Sequence, residues 1–301
     1  MNLIILEAGE IDTSGAVTLR DARAAHLRNV LRVTPGQPVR IGLLDGPLGT
    51  AVVTSLENAH VSMRCTFESS TPARPRVDLL LALPRPKVLR RLWAQLAALG
   101  VGQVILTNAE RVERNYFDTH VLTAGCYRPL LIEGLQQARD TRLPAVSVHR
   151  QFRILVEDHL DRLFPDGARV VADPRARIAL RDIIHAHSDR RVLLAVGPEG
   201  GWNDFELRML EQNGFHMAGI GERTLRTDTA CIALVGIVHD ALTTSLAEGN
   251  PVAEPAEGDG ESGTPPPGAV PNGSATPSIL AEDTSDLSPL QQRGDRRTAG
   301  Q

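Results

Sequence analysis

The sequence predicts an α/β protein made of a small N-terminal β-barrel and a larger C-terminal domain with a mostly parallel sheet. Short strand-like segments separated by turn residues fill roughly the first 70 residues. From Val77 onward, apolar strand segments alternate with helical ones, which is typical of a parallel sheet covered by helices. After Leu246 the chain becomes rich in proline, glycine and acidic residues, which marks the end of the folded part.

The N-terminal part, residues 1–70, is predicted to be a small β-barrel. Its strand segments are expected at residues 3–6, 38–44, 50–56 and 60–67, and one short helix at about 21–31 interrupts them. Turn signals at Pro35-Gly36, Asp45-Gly46 and Glu57-Asn58 separate the strands. Residues 71–76, within a Ser/Pro/Arg-rich stretch, form a linker to the second domain.

The C-terminal domain is predicted to span residues 77–247. We expect its strands at 77–83, 104–106, 145–149, 169–172 and 192–196, with helices at 87–99 and about 128–141. Such alternation favours a mostly parallel sheet with helices packed on its faces.

Residues 248–301 are predicted to be a disordered acidic tail. Eight of the chain's 20 prolines lie in this segment, and it contains no aromatic residue. It carries nine acidic and three basic residues, a net charge of −6, so the remainder of the chain is at +2 although the whole is at −4. A mildly positive body is compatible with a polyanionic partner.

The composition argues against a membrane protein and against a disulfide-stabilised one. No segment approaches the run of about 18 apolar residues that a membrane helix needs. The three cysteines are far apart, which is typical of a reducing compartment. We therefore expect a cytoplasmic protein without a membrane partner.

Two glycine-rich turns are the main candidates for a functional site. Gly197-Pro198-Glu199-Gly200-Gly201 and the segment 219–226 each follow a short apolar strand and each lead into a helix. Loops at the carboxyl ends of neighbouring parallel strands form a crevice in which backbone N–H groups can face a ligand. Alternatively, the glycines only allow the chain to turn between a strand and the following helix, and they bind no ligand.

The residues around these turns also predict helix caps. Asn203 with Glu206 three residues later matches a capping box, and Thr227 is expected to cap the last helix with Asp228 in its first turn.

No Walker lysine motif and no G-x-G-x-x-G occurs, so an apolar slot for an adenine ring fits these loops better than a phosphate site. His185 and His187 have no cysteine or acidic partner at ligand spacing, and no metal is expected.

The two turns resemble a known family. GPEGGW at 197–202 and GERTLRTDTA at 221–230 closely resemble the SPOUT-type RNA methyltransferases, and more narrowly the RsmE family, which methylates N3 of a uridine in 16S rRNA. Residues 26–40 resemble the family's HL-x-x-VLR-x-x-x-G segment, and residues 134–144 resemble its E-Q-S-x-R-x-x-x-P segment. The chain has Thr224, Asp228 and Ala98 where the family usually has Ile, Glu and Glu.

The resemblance implies a PUA-like RNA-binding barrel, a SPOUT domain with a C-terminal trefoil knot, and a homodimer that acts on the 30S subunit. It implies S-adenosylmethionine as cofactor, with S-adenosylhomocysteine as product. The cofactor-binding residues it implies are Gly197, Glu199, Gly200, Gly219, Ile220, Gly221, Leu225 and Arg226. The RNA-binding candidates are Arg23, His26, Arg28, Arg32, Lys87 and Arg139, of which Arg23, Arg28 and Arg32 are expected near one face of the first helix. The apolar segment 230–242 is a candidate dimer contact.

The chemistry assigns catalytic roles to three of these residues. Uracil N3 must lose its proton before it attacks a sulfonium methyl, and a cation close to the base favours the resulting anion. We expect Arg226 to supply that cation, and Glu199 or Asp228 to accept the proton. Two alternatives stay open: a SPOUT methyltransferase for another RNA position or transfer RNA, and a non-catalytic RNA-binding or ribosome-assembly factor.

Overall fold

The computed structural model describes residues 3–57 and 59–248, with side chains as far as Thr243. The predicted acidic tail and Asn58 of the predicted turn lie outside the described residues. The α/β class is confirmed, because the described chain contains two sheets together with eight α-helices.

The first sheet has five strands in the order β1-β3-β4-β5-β2. Its strands are β1 (Ile4–Leu6), β2 (Ala16–Leu19), β3 (Pro38–Leu43), β4 (Leu48–Glu57) and β5 (His60–Phe67), and helix α1 (Ala22–Asn29) follows β2. β1 pairs with β3 in parallel, and the other pairs are antiparallel. Alternate residues of β4 and β5 point into a separate core, which Leu27 of α1 also enters.

The second sheet has six parallel strands in the order β11-β9-β10-β6-β7-β8. The strands are β6 (Val77–Ala82), β7 (Val101–Thr107), β8 (Ala145–His149), β9 (Ala168–Ala172), β10 (Val192–Val196) and β11 (Phe215–Ala218). The helices between and after them are α2 (Pro86–Ala98), α3 (Ala124–Ala138), α4 (Phe152–Ile154), α5 (Leu160–Leu163), α6 (Leu180–His185), α7 (Asp204–Gln212) and α8 (Thr227–Glu248).

The centre of this sheet explains its apolar sequence. All residues of β6 and β10 are buried, since helices cover both faces of the sheet. Asp78 is the one acid in these strands, and Arg191 pairs with its carboxylate at 2.5 Å. Burial raises the pKa of Asp78, and the charge and hydrogen bond of Arg191 only partly offset this effect.

Helices α2 and α3 pack closely because Gly134 has no side chain. A Cβ at this position would collide with the backbone oxygen of Ala94. The apolar side of α2, with Leu89, Leu92 and Trp93, is fully buried. The opposite side of α2 is exposed and carries arginines, so it can face a ligand or partner.

Several predicted elements differ from the observed ones. α3 begins at Ala124 and ends at Ala138 rather than covering 128–141, because Arg139 adopts a left-handed conformation with φ of 60° and ends the helix. Strand β2, the helical turns at 152–163 and helix α6 were not predicted. These elements are short, and an apolar period cannot be read from four to six residues.

The two sheets belong to one compact unit and are joined by direct contacts between described residues. Leu3, which precedes β1, and Ile5 of β1 belong to the larger core. The Thr141 hydroxyl donates to the Gly46 carbonyl at 2.6 Å, and the Asp45 N–H donates to the Thr141 carbonyl at 2.8 Å. In the described part of the chain, no helix is long and apolar enough to cross a membrane.

Candidate active site

A cavity lies at the carboxyl ends of three neighbouring strands, β9, β10 and β11. The loops that follow these strands form its walls, including both glycine-rich turns. Its empty volume is about 650 Å³, part of which is open to solvent. Both turns follow a strand and precede a helix, as predicted, and their approach in space comes from the order of the strands.

The second glycine-rich turn is fastened to the loop after β9. The Gly219 N–H donates to the Ile178 carbonyl at 3.0 Å, and the Leu180 N–H donates to the Gly219 carbonyl at 2.9 Å. A Cβ on Gly219 would lie 3.1 Å from the Asp173 carbonyl oxygen. Glycine at this position therefore allows two backbone segments to meet at the edge of the cavity.

The first glycine-rich turn is held by the start of α7. The predicted capping box is confirmed: the Asn203 side chain accepts from the Glu206 N–H, and the Glu206 carboxylate accepts from the Asn203 N–H, each at 2.8 Å. Glu206 is also buried and accepts from the Glu110 N–H at 2.7 Å. This carboxylate therefore fixes the turn to the loop after β7.

The cavity wall is mostly apolar, with Val196, Leu225, Ala230 and Leu234 among its residues. Trp202 also lines it and is only 2% exposed. Its indole nitrogen is buried and has no hydrogen-bond partner among the described residues. An apolar slot with free polar groups suits a planar, partly polar ligand.

Most predicted cofactor residues line this cavity. The structure brings together Gly197, Glu199, Gly219, Ile220, Gly221 and Leu225. Gly200 lies instead in an adjoining cavity beside Arg111, which donates to its carbonyl. Arg226 is not part of the wall, and its side chain is 72% exposed.

Asp228 lies between two arginines at the start of α8. Its Oδ2 accepts from Arg91 at 2.9 Å and from Arg226 at 3.4 Å, and its side chain is 18% exposed. Because one carboxylate oxygen meets both guanidinium groups, this side chain is placed to hold the two arginines. Thr227, which we predicted as a cap, is the first residue of the helix and is buried.

Glu199 has weaker contacts with one arginine. Its Oε1 accepts from the Arg85 N–H at 3.3 Å, and the Arg85 Nε lies 3.9 Å away. About a third of the Glu199 side chain is exposed. It therefore meets the cavity with a carboxylate that is less constrained than that of Asp228.

Sequence reasoning missed the contribution of β9 and the arginines of α2. Asp173 follows β9, lines the cavity and accepts from the Arg175 N–H at 2.8 Å and Nε at 2.9 Å. Burial would raise its pKa, but the bonds and charge of Arg175 outweigh burial and lower it. The strand-ending Asp173-Pro174 pair was the available signal, whereas nothing in the sequence connects Arg91 to Asp228.

The predicted RNA-binding residues lie in different environments. Arg23 uses every guanidinium nitrogen within the N-terminal part, bonding to Glu10, Asp21 and the Ile5 carbonyl. α1 ends at Asn29, so the expected shared helix face with Arg32 was wrong. Lys87, near the start of α2, and Arg139, at the end of α3, are exposed, and Arg28 is half-buried.

His26 lines a different cavity, between α2 and α3.

The predicted dimer helix α8 is largely buried within its own chain, with Ile232 among its exposed residues. Among the described residues, no group of three His, Cys, Asp or Glu side chains is placed to hold a metal ion.

A parallel sheet with a glycine-lined apolar cavity beyond three strand ends defines an α/β ligand-binding fold of the kind that enzymes use. Comparison with known proteins narrows this class. Residues 71–239 match the model of the RNA methyltransferase domain family. Since this match covers more than half of the chain, the protein is a member of a family of RNA methyltransferases.

Curated relatives identify the family more closely. Ribosomal RNA small subunit methyltransferase E of Treponema pallidum is 30% identical over 241 residues, which cover 79% of this chain and 90% of that protein. Ribosomal RNA small subunit methyltransferase E 1 of Borreliella burgdorferi is 24% identical, over 77% of this chain and 95% of that protein. The chain therefore belongs to the ribosomal RNA small subunit methyltransferase E family.

Solved structures agree with this fold. The methyltransferase E of Neisseria gonorrhoeae, bound to S-adenosyl methionine, superposes with a TM-score of 0.64 at 23% identity, over 80% of this chain and 97% of that one. A methyltransferase of Legionella pneumophila, also with bound cofactor, gives 0.62 at 21% identity, over 80% and 97%. At these identities the likeness supports the fold alone.

Proposed function

We propose that the protein transfers a methyl group from S-adenosylmethionine to N3 of a uridine in 16S rRNA, within the 30S subunit. The observation that carries the proposal is the cavity beyond β9, β10 and β11, whose walls contain six of the predicted cofactor residues. Family membership and the names of the relatives, which act on small-subunit ribosomal RNA, support the same reaction.

The cavity fits S-adenosylmethionine better than a nucleoside phosphate. Its wall is apolar, with backbone groups of the glycine turns at its edges, and the carboxylates of Glu199 and Asp173 among its lining residues. These two carboxylates outnumber the one arginine in the lining, Arg223, so they disfavour a phosphate and favour a cationic sulfonium. The buried Trp202 indole N–H supplies an unused donor for a ligand acceptor.

The residues at the mouth of the cavity have separate roles in the proposal. The two glycine turns would hold S-adenosylmethionine, which would supply a methyl group on a sulfonium for transfer to N3, with S-adenosylhomocysteine as the leaving product. Arg226, exposed at the mouth, stabilises the uracil anion. Asp228 holds Arg226 and Arg91, and Glu199 accepts the N3 proton.

The proposal also assigns a function to each part of the chain. Residues 1–70 act as a PUA-like RNA-binding barrel, and residues 71–76 link it to the second domain. Residues 77–247 form a SPOUT domain with a trefoil knot, and residues 248–301 are a tail that the reaction does not need. The separate core of the five-stranded sheet supports the first assignment. The fastening of the second turn to 178–180, followed by the return of α8 against α6 and α2, supports a knotted arrangement. Exposed Ile232 on α8 supports homodimerisation, and the reaction places the protein in the cytoplasm.

The test is methyl transfer from labelled S-adenosylmethionine to 30S subunits that lack N3-methyluridine, with free 16S rRNA and transfer RNA in parallel. We expect N3-methyluridine, identified by mass spectrometry, on 30S subunits only. Product on another nucleotide or on transfer RNA would favour a SPOUT methyltransferase with a different substrate. Cofactor binding without any transfer would favour a non-catalytic RNA-binding or assembly factor.

A further inference from the structure

A second cavity lies between α1 of the N-terminal part and the helix pair α2–α3. Its empty volume is about 950 Å³, counting the space that opens to solvent. It shares no lining residue with the first cavity. The residues that line it are His26, Ala94, Gln95, Ala98, Glu133, Gly134, Gln136 and Gln137.

One polar group at this cavity is buried without a partner. The Nε2 of His26 is fully buried and makes no hydrogen bond with the described residues. Gln136, which also lines the cavity, is only 8% exposed. Buried polar groups in folded proteins are nearly always hydrogen-bonded, so an unpaired imidazole nitrogen at a cavity indicates a ligand that completes it.

The charge of the cavity distinguishes between kinds of ligand. Glu133 contributes a carboxylate, and no arginine or lysine is among the lining residues. A phosphate would therefore meet repulsion without compensation. Neutral amides at Gln95 and Gln136 instead match the mixed donor and acceptor edge of a nucleobase.

The shape of the cavity also favours a nucleobase as its ligand. Ala94, Ala98 and Gly134 form a floor of small residues, beside which the imidazole of His26 can stack. Unpaired RNA bases are typically bound in this way, stacked on aromatic or histidine rings and hydrogen-bonded along their edges.

The exposed side of α2 connects this cavity to the reactive residues. Arg91 lies one helical turn before Gln95, a separation of about 6 Å along the axis. Arg91 pairs with Asp228, which in turn contacts Arg226. A single RNA strand lying along this side of α2 would reach both the cavity and Arg226.

We infer that this cavity, between α1 and the α2–α3 pair, binds one unpaired nucleobase of the RNA substrate, close to the nucleotide that is methylated. The inference rests on the proposed function, because it assumes an RNA substrate. His26 and Gln136 act here as base-binding residues, and Arg139 at the end of α3 remains available for a neighbouring phosphate.

Three variants test the inference on the full-length protein. Gln95→Ala removes an edge contact from an exposed position, His26→Phe keeps a ring but removes the nitrogen, and Ala98→Leu fills the floor. The matched control is Gln212→Ala, another exposed glutamine on a helix far from the cavity. Methylation kinetics on 30S subunits and binding of S-adenosylhomocysteine are measured for each variant.

We expect the KM for 30S subunits to rise about tenfold in Ala98→Leu, in line with the loss of one stacked base. Smaller increases are expected in Gln95→Ala and His26→Phe. kcat at saturating 30S and the affinity for S-adenosylhomocysteine should stay within about twofold, which also shows that the variants are folded.

An unchanged KM in all three variants would overturn the inference while leaving the proposed function intact. The number of subunits in each variant is measured by sedimentation. If the KM rises only in variants whose subunit number has changed, the cavity is a contact between two copies of the chain and the inference is overturned. Failure of the proposed function itself is recognised separately, because the unaltered protein would then not methylate 30S subunits at all.

Discussion

Arg23 and Arg226 are both arginines that the sequence offers for contact with RNA, yet the structure gives them opposite environments. The Arg23 side chain is 17% exposed and bonds to Glu10 and Asp21, whereas that of Arg226 is 72% exposed with one contact to Asp228 at 3.4 Å. An arginine whose donors are all used stabilises the fold, and one whose donors are free can bind a substrate. The comparison shows that arginine enrichment by itself does not locate an RNA surface.

The largest expected effect is on Arg226. Arg226→Ala should lower kcat for methyl transfer by about 10²- to 10³-fold, because it removes the cation next to the developing uracil anion. Its free energy of unfolding should change by less than about 0.5 kcal/mol, since the side chain is exposed. Steady-state kinetics and urea unfolding measure the two quantities, and full activity in this variant would refute the assigned role.

Asp228 should act on the reaction through the arginines that it holds. Asp228→Asn is expected to lower kcat by roughly 10- to 100-fold, since it loosens Arg226. This loss, measured by steady-state kinetics, should be smaller than that in Glu199→Gln, because Glu199 is the proton acceptor in the proposal.

Two variants complete this comparison. Asp228→Glu keeps the charge and should recover most of the activity, while Glu199→Gln should lower kcat by about 10²- to 10⁴-fold, because it removes the general base. If Asp228→Asn lowers kcat more than Glu199→Gln does, the two roles are exchanged.

Arg23 should matter for stability rather than chemistry. Arg23→Met is expected to lower the free energy of unfolding by about 2 kcal/mol, because Glu10 and the Ile5 carbonyl lose a charged donor. kcat on 30S subunits should be unchanged. Arg40→Met, which breaks the exposed Arg40–Glu68 pair, is the control and should cost less than about 0.5 kcal/mol.

The pH dependence of stability should reveal the same cluster. The hydrogen bond from Arg23 holds the pKa of Glu10 below its ordinary value of 4.5, and burial opposes it less strongly. The unfolded chain then binds protons first, so the stabilisation is complete above pH 4.5 and is lost as the pH falls through the folded-state pKa. Urea unfolding between pH 6 and pH 3 should show this decline, with a shallower slope in Arg23→Met; parallel curves would contradict it.

The smallest effect is expected at Arg28, which is half-buried and makes no side-chain bond with the described residues. If it contacts a phosphate, Arg28→Gln should lower the slope of log K against log salt for 30S binding by about 0.7–0.9. An unchanged slope would place Arg28 outside the RNA surface.

Much of the fold could be predicted because its elements carry their own local signals. Strands β8 and β10 were predicted at their observed bounds, and the Asn203–Glu206 capping box was predicted from spacing alone. These features depend on neighbours within a few residues, which the sequence displays directly. Short elements such as α6 lack such a signal and were missed.

The candidate site also has some residues that the sequence could identify and others that it could not. Both glycine turns were found from sequence, because glycine marks backbone positions where close approach or an unusual φ is required, as at Gly221 with φ of 122°. Asp173 and Arg91 were missed, because their importance comes from strands and helices that meet only after folding.

The sequence by itself determined the α/β class, the glycine turns and the reactive candidates, since each depends on residue type and local spacing. Only the tertiary structure decided that Arg23 is bonded within the fold, whereas Arg226 is exposed beside the cavity. It also placed Asp228 between Arg91 and Arg226, and His26 in a cavity with Gln136. Partners separated by more than 100 residues are brought together by sheet order and helix packing, and no local pattern encodes that distance.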